Sequence, residues 1–510
     1  DTSVSPNAYY QERHEWHSDG SQQRMHLALP DALQNGVAAD ERIDYAYDSA
    51  ARVRAVTYDD GSSTQTLFAA NGATPIYDAF GRIRSANYGA ASYNADYADG
   101  GRRLLTDVRV ASPAPFSTSR ELRFGPIAQT SAAVTAFDPL GRERARQEVR
   151  DGVPAPPVVN TYDRIGRLQS TAQFDTASAT LATQRQFSYD ALGNLTRQDD
   201  LAGGQGTVQM TYQSGDRDRI CSVGYAGATP PASCNVSYDT AGRTLSMPLR
   251  SGTRTLGWLP SGNVDTIVSG SASARYAYDA FGAVQALTLS TGAPDARSDK
   301  YFGSALRQRL EDGHAVLTRR IAAPGLLATL HGRGGAWTFA FGDGRGGRFY
   351  TDANGRFVQS VDYHPYGEPK AADPLDAALD GAFAGTALHS SEQWNGGDAL
   401  EALGLDRLGA RLYDPVLGRF LSRDALAIPR GGARMNAYAF GDNDPVNSAD
   451  PSGMSVVSTY PSSSPGPSSS PGAQPTGPNE QPIDVSMNGL SIDDVDDAIS
   501  ADDDTAGFIP

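Results

Sequence analysis

The sequence predicts a mainly β protein made of hairpins stacked side by side in a long sheet. Three observations carry that expectation. A short unit of aromatic, Asp, turn and aliphatic residues recurs along most of the chain. The 54 Gly and 31 Pro together make up a sixth of the 510 residues, so turns are frequent. Hydrophobic residues are 39% of the chain, yet no apolar run reaches the roughly 18 residues of a membrane helix.

The unit reads aromatic, Asp, two or three variable residues, Gly, Arg or Asn, then an aliphatic residue. It stands as YDSAARV from Tyr47, YDAFGRI from Tyr77, FDPLGRE from Phe137, YDRIGRL from Tyr162, YDALGNL from Tyr189, YDTAGRT from Tyr238 and YDAFGAV from Tyr278. Weaker echoes are WLPSGNV from Trp258 and TDANGRF from Thr351. Asp and Gly flank a tight reversal: the carboxylate accepts nearby backbone N–H groups and the Gly takes positive φ. Each copy is therefore strand, turn, strand. A lone hairpin cannot bury its apolar face, so neighbouring hairpins must stack. Repetition also argues against reading the Tyr-Asp pairs as acid/base groups.

Taken in order, residues 1–39 show few repeat signals and hold His14, His17 and His26; they read as an incomplete repeat or a plug. Residues 40–370 carry the repeats. Within them Cys221 and Cys234 lie in a Gly/Pro/Ala-rich loop, and a disulfide there stays an open question at the level of sequence. FGDGRGGRF around Gly344 is glycine-rich but lacks the strand-then-helix setting of a phosphate loop, so it reads as a hairpin loop. Residues 371–454 form a separate core, introduced from Asp362 by DYHPYGEP. Residues 455–510 begin as a Ser/Pro/Gly linker and end in the acidic SIDDVDDAISADDDT, a composition that predicts disorder.

The net charge is −16, and beyond Met454 there are acidic residues but no Lys or Arg. No basic patch with interleaved aromatics marks a nucleic-acid surface, so nucleic acid is not expected on the body of the chain. HExxH, zinc-spaced Cys/His clusters, GxxxxGK[ST] and GxSxG are all absent, and neither a metal nor a cofactor is expected. His364 and His389 are isolated. The chain begins at Asp1 without a secretory signal, which suggests a processed piece of something longer.

The YDxxGRL-like units resemble the YD repeats of the bacterial RHS family, found in polymorphic toxins and in the C components of Tc toxins. In order, DYHPYGEP, FAGTALHSSEQW, GLDRLGARLYDPVLGRFLSRD and NAYAFGDNDPVNSADPSGM resemble the RHS-repeat-associated core. The resemblance implies a sheet spiralling into a hollow cocoon around a carboxy-terminal toxin or effector. It also implies a core that cuts itself, as an aspartyl-type protease, after the last residue of a DPxGL motif. That motif stands here as DPSGM, which puts the cut at Met454–Ser455. Met for Leu keeps an apolar side chain of similar volume.

By that resemblance Asp424 and Asp450 are the candidate catalytic pair, and Arg411 is the cation that holds them; Asp442 and Asp444 stand in reserve. Two carboxyls close together in a partly dry site share a proton, so one can activate water while the other protonates the leaving amide. The residues alone also fit ordinary turns. The expected function is a secreted or delivered toxin shell for bacterial competition. Its partners are its own cargo and a capping or delivery protein, with no membrane-spanning segment. The rival reading is a cell-surface, glycan-binding adhesin without hydrolytic activity.

Overall fold

The computed structural model describes residues 11–28, 41–98, 104–125, 135–174, 181–201, 206–290, 297–302, 306–311, 314–323, 326–331, 336–342, 347–370, 394–425 and 436–458. They form 36 β-strands, β1 (Gln11–Trp16) to β36 (Val457–Ser458), and contain no α-helix. The expected class is therefore the observed one. The acidic tail and His389 lie outside the described residues.

The strands run as two long antiparallel meanders. β1 pairs with β2 (Gln22–Ala28), β2 with β3 (Glu41–Tyr47), and next-neighbour pairing continues through β9 (Ser119–Arg123), β10 (Ala145–Arg150) and β12 (Val158–Tyr162) to β17 (Ile220–Gly224). This sheet holds 17 strands, and β18 (Ser237–Tyr238) to β30 (Phe357–Ser360) form a second of 13. Residues 11–28 thus extend the first sheet as a hairpin. Across the glycine-rich stretch near Gly344, β28 (Ala336–Gly342) and β29 (Gly347–Asp352) pair antiparallel, as a hairpin requires. Cys221 and Cys234 are bonded to each other.

The repeat has a common internal logic. In YDRIGRL, Asp163 Oδ1 accepts from the N–H groups of Ile165 (3.1 Å) and Arg167 (2.9 Å), while Oδ2 accepts from Arg167 Nε at 2.7 Å. Gly166 takes φ 92, the left-handed conformation that closes the turn. The Arg167 guanidinium then lies 4.6 Å over the ring of Tyr189, and Tyr189 Oη donates to the carbonyl of Leu168 at 2.8 Å. Other copies repeat this pattern. Arg52 covers Tyr77, whose hydroxyl bonds Val53 O; Arg142 covers Tyr162, whose hydroxyl bonds Glu143 O. In these copies the unit is locked to the next by its Arg and by the following aromatic. The ladder register also slips just before Tyr47, Tyr162, Tyr189 and Tyr278, and such bulges increase strand twist.

Two main cores result. One joins residues of β3 to β9, such as Ile43, Phe68 and Val110, to Trp337, Phe339 and Phe349 of the second sheet. The other joins Leu168, Met210 and Ile220 to Ile267 and Leu287, and adds Leu400, Leu412 and Leu421 from the core segment. That segment contains a four-stranded sheet, β31 (Asp398–Leu400) to β34 (Arg419–Phe420). It is stitched to the repeat turns by buried polar side chains. Asn443 Nδ2 donates to Gly193 O at 2.7 Å, Tyr438 Oη to Gly242 O at 2.6 Å, and Glu143 N to Asn447 Oδ1 at 2.8 Å. The repeats fix the core segment from below, and the candidate site sits on that segment.

Candidate active site

Arg411 opens β33 (Arg411–Asp414), the strand before a tight return to β34. The return is ordered by Asp414, whose Oδ1 accepts from Val416 N and Leu417 N, each at 3.0 Å. It places Phe420 beneath Arg411, with the guanidinium 3.5 Å above the ring centroid. Below that ring lie Trp394, Leu408, Tyr413 and Phe440, a small apolar core of their own. An Arg side chain in this position has one face on an aromatic wall and its edges left for polar partners.

Those edges gather the residues named from sequence. Arg411 Nη2 lies 3.1 Å from Asp450 Oδ2 and 3.2 Å from Asp424 Oδ2. Its Nη1 donates to Ala437 O at 3.2 Å, and its Nε donates to the carbonyl of Gly453. One guanidinium thus brings Asp424, Asp450 and the DPSGM turn to one place. Asp424 follows β34, its N–H donating to Ala437 O at 3.0 Å; Asp450 follows β35 (Ser448–Ala449).

The other oxygen of Asp450 faces the predicted cut. Oδ1 accepts from Met454 N at 3.0 Å and from Ser455 N at 3.1 Å, and the latter is the nitrogen of the Met454–Ser455 amide. Ser452 Oγ donates to the same oxygen at 3.2 Å. Gly453 is needed for this turn. It has φ 64, and a Cβ there would come within 2.2 Å of Leu408 O and 3.1 Å of Arg411 N.

Burial sets the electrostatics. Asp450 is 1% exposed and Arg411 5%. Burial raises the Asp450 carboxyl above the ordinary carboxylate range, against the pull of Arg411 and of the Ser455 N–H. A carboxyl held in this way near a leaving nitrogen can carry a proton to it. The reserve Asp444 belongs to a different turn: both its oxygens accept from Asn447 Nδ2, at 2.8 and 2.9 Å, and burial pushes it up to about 6. Asp442 stands in the same short turn, at φ 53.

His364 is kept neutral, pushed down to about 3 by burial and by Arg185 and Lys370. It lines a pocket together with Arg146, Arg185, Arg348, Lys370 and Asp200. The cations there are held by carboxylates: Arg348 and Lys370 by Asp362 at 2.8 and 2.6 Å, and Arg185 by Glu368 at 2.7 Å. This network fastens DYHPYGEPK to the first sheet. Ser452, Phe420 and Gly453 are the site residues that sequence reading passed over. Gly453 and Ser452 stood inside the quoted DPSGM motif, but nothing in the pattern signalled their contacts.

No family model matches the chain. It is 32% identical over 104 residues to the tRNA nuclease WapA of Bacillus subtilis strain 168, and 31% identical over 104 residues to the tRNA3(Ser)-specific nuclease WapA of Bacillus spizizenii. Each match spans 20% of this chain and 4% of the relative. Among solved structures, TcdB2-TccC3-Cdc42 superposes with a TM-score of 0.68 at 17% identity, over 87% of this chain and 22% of that one. TcdB2-TccC3 alone gives 0.68 at 17% identity over the same shares. At that identity the likeness establishes the fold: the strands of this chain are arranged as in these structures.

Proposed function

We propose that the chain is the shell of a toxin, and that its core cuts the polypeptide after Met454 to free the segment that follows. One observation carries this reading: a single buried Arg411 collects both candidate carboxyls, while Asp450 holds the nitrogen of the Met454–Ser455 amide. Asp450 is the acid, placed to protonate the departing nitrogen. Asp424 is the base, the second carboxyl on the same guanidinium and less deeply buried than Asp450. Arg411 positions both and limits the repulsion between them. The remainder of the reading rests on likeness. The sequence relatives are nucleases by name and are far longer than the aligned part, so cargo residues from Ser455 onward, delivery out of a bacterial cell and a capping partner all fit this reading.

The adhesin alternative has less support. Repeat aromatics such as Tyr77, Tyr162 and Tyr189 pack against the cores and hydrogen-bond to carbonyls of the preceding unit.

The dyad is tested with Asp424→Asn and Asp450→Asn in the full chain. Each removes an ionisable group and nearly keeps the size. We expect both variants to keep the wild-type circular dichroism and to lose release of the Ser455 fragment by at least about a hundredfold, the usual scale for a lost acid or base. Undiminished release from either variant removes that residue from the mechanism.

A further inference from the structure

The hydroxyl at the cut carries an inference that deepens the self-cleavage reading and rests on it. Ser455 supplies not only the nitrogen of the bond but also an alcohol on the adjoining carbon. Its Oγ lies 3.4 Å from Ser452 Oγ, and Ser452 Oγ lies 3.2 Å from Asp450 Oδ1. The same carboxylate oxygen is 3.1 Å from Ser455 N. A hydroxyl, a relay hydroxyl, a buried carboxyl and the nitrogen to be protonated therefore form a closed circuit around one peptide bond. Ser455 itself is exposed, so water reaches this end of the site.

We propose that Ser455 is the nucleophile of the cleavage, and that the Met454–Ser455 amide first becomes an ester on its own side chain. Ser455 Oγ attacks the Met454 carbonyl carbon and closes a small ring of Oγ, Cβ, Cα, N and that carbon. Asp450 gives its proton to the Ser455 nitrogen as it takes one from Ser452 Oγ, which in turn takes the Ser455 Oγ proton, and the C–N bond breaks. The product is a free amine on Ser455 and an ester between the Met454 carbonyl and Ser455 Oγ. Water, deprotonated by Asp424, then adds to the ester carbonyl; the Oγ leaves and regains a proton. The balance is one water consumed, one carboxylate formed on Met454 and one amine formed on Ser455. No oxidant or other reactant enters.

The turn favours this route for a physical reason. Holding the nucleophile and the carbonyl in one residue pair removes the entropic cost of bringing them together, and the Asp450 contacts keep the amide nitrogen beside its proton source. Ser452 is the positioning and relay residue. It also accepts from Met454 N and Ser455 N, at 3.2 and 3.3 Å, which ties the relay to the backbone being cut.

The experiment uses the full chain as wild type, Ser455→Ala, Ser455→Thr and Ser452→Ala, with intact and fragment masses followed in time. Hydroxylamine is added to parallel wild-type samples. We expect Ser455→Ala to slow release at least a hundredfold and Ser455→Thr to retain measurable release. Ser452→Ala should be intermediate. Hydroxylamine should speed release and leave a hydroxamate on Met454, a mark that direct attack by water on the amide would not produce. Release from Ser455→Ala at the wild-type rate, with no hydroxamate, overturns the ester route but leaves the carboxyl dyad in place. A wild type that stays intact in both conditions, with native circular dichroism, overturns the self-cleavage reading as well.

Discussion

Arg411 is the residue on which the site turns, because it touches both carboxyls and the Gly453 carbonyl. Arg411→Lys keeps a charge but loses the fork, so one ammonium has to serve partners that now spread over three nitrogens. We expect release to fall tenfold or more, with the circular dichroism unchanged; an unaltered rate would reduce Arg411 to a structural cation. The raised Asp450 carboxyl also sets a pH dependence. Its protonated form, needed to protonate the leaving nitrogen, declines as pH rises through that raised value. Release rates measured from pH 5 to 9 should therefore fall on the alkaline side, and a rate that climbs steadily to pH 9 contradicts Asp450 as the acid. A separate test concerns Asp107, pushed up to about 7 by burial beside Glu121. A carboxyl whose folded pKa is raised contributes stability at low pH that is lost as pH rises from about 4 to about 7. Asp107→Asn should be more stable than wild type by on the order of 1 kcal/mol at pH 8, after discounting for partial exposure, and no more stable at pH 4. Denaturant midpoints at both pH values decide it. Of the residue scale, the carboxyls and Arg411 were legible because their motif carries them. The Ser452 contacts were not, since they depend on how the Asp450 turn folds back, and that geometry leaves no pattern in residue types.

At the scale of the element, YDxxGRL was legible as strand, turn and strand, since Asp and Gly act within their own turn. What the sequence did not reveal is the use of Arg between turns. Arg167 serves Asp163 in its own unit and Tyr189 in the next, a contact across 22 positions that only stacking creates. Each half of that lock is modest, about 0.5–1 kcal/mol for the cation over the ring and about 1 kcal/mol for the Tyr189 hydroxyl bond. A double-mutant cycle of Arg167→Ala and Tyr189→Phe should show the two changes adding less than fully to each other, since the ring stays while its partners go. Tyr189→Ala removes the ring as well and should cost about 3–5 kcal/mol, taking the truncation of a buried Phe as guide. No loss at that position would mean the ring is not packed. The first copy, YDSAARV, places Ala51 where the others have Gly, and Ala51 adopts φ 57. An L-residue there is strained by about 1–2 kcal/mol, partly offset by the greater chain entropy of Gly. Ala51→Gly should therefore raise stability by about 0.5–1 kcal/mol in denaturant titration, while a loss would show that the turn tolerates Ala without strain.

At the scale of the molecule, a β-rich chain was readable from the recurrence alone. The division into two long meanders was not, because every unit looks like every other and nothing in the repeat says where one sheet ends. Two features of the structure bear on assembly: the core segment leans on repeat turns at Gly193 and Gly242, and its leucines join the second core. Cutting after Met454 should then leave the body folded, since the hydrogen bonds that tie Tyr438, Asn443 and Asn447 to the repeats lie before the cut. Limited proteolysis of the body from released and unreleased protein should give the same resistant fragments; extra cleavage after release would mean the uncut bond supports the fold. The central claim is that this core cuts its own chain at one bond, and the position of that cut tests it most directly. Masses of the freshly purified wild type should show a body ending at Met454 and a fragment beginning at Ser455. An intact chain with a native core, or a break at the acid-labile Asp450–Pro451 bond instead, would contradict the account.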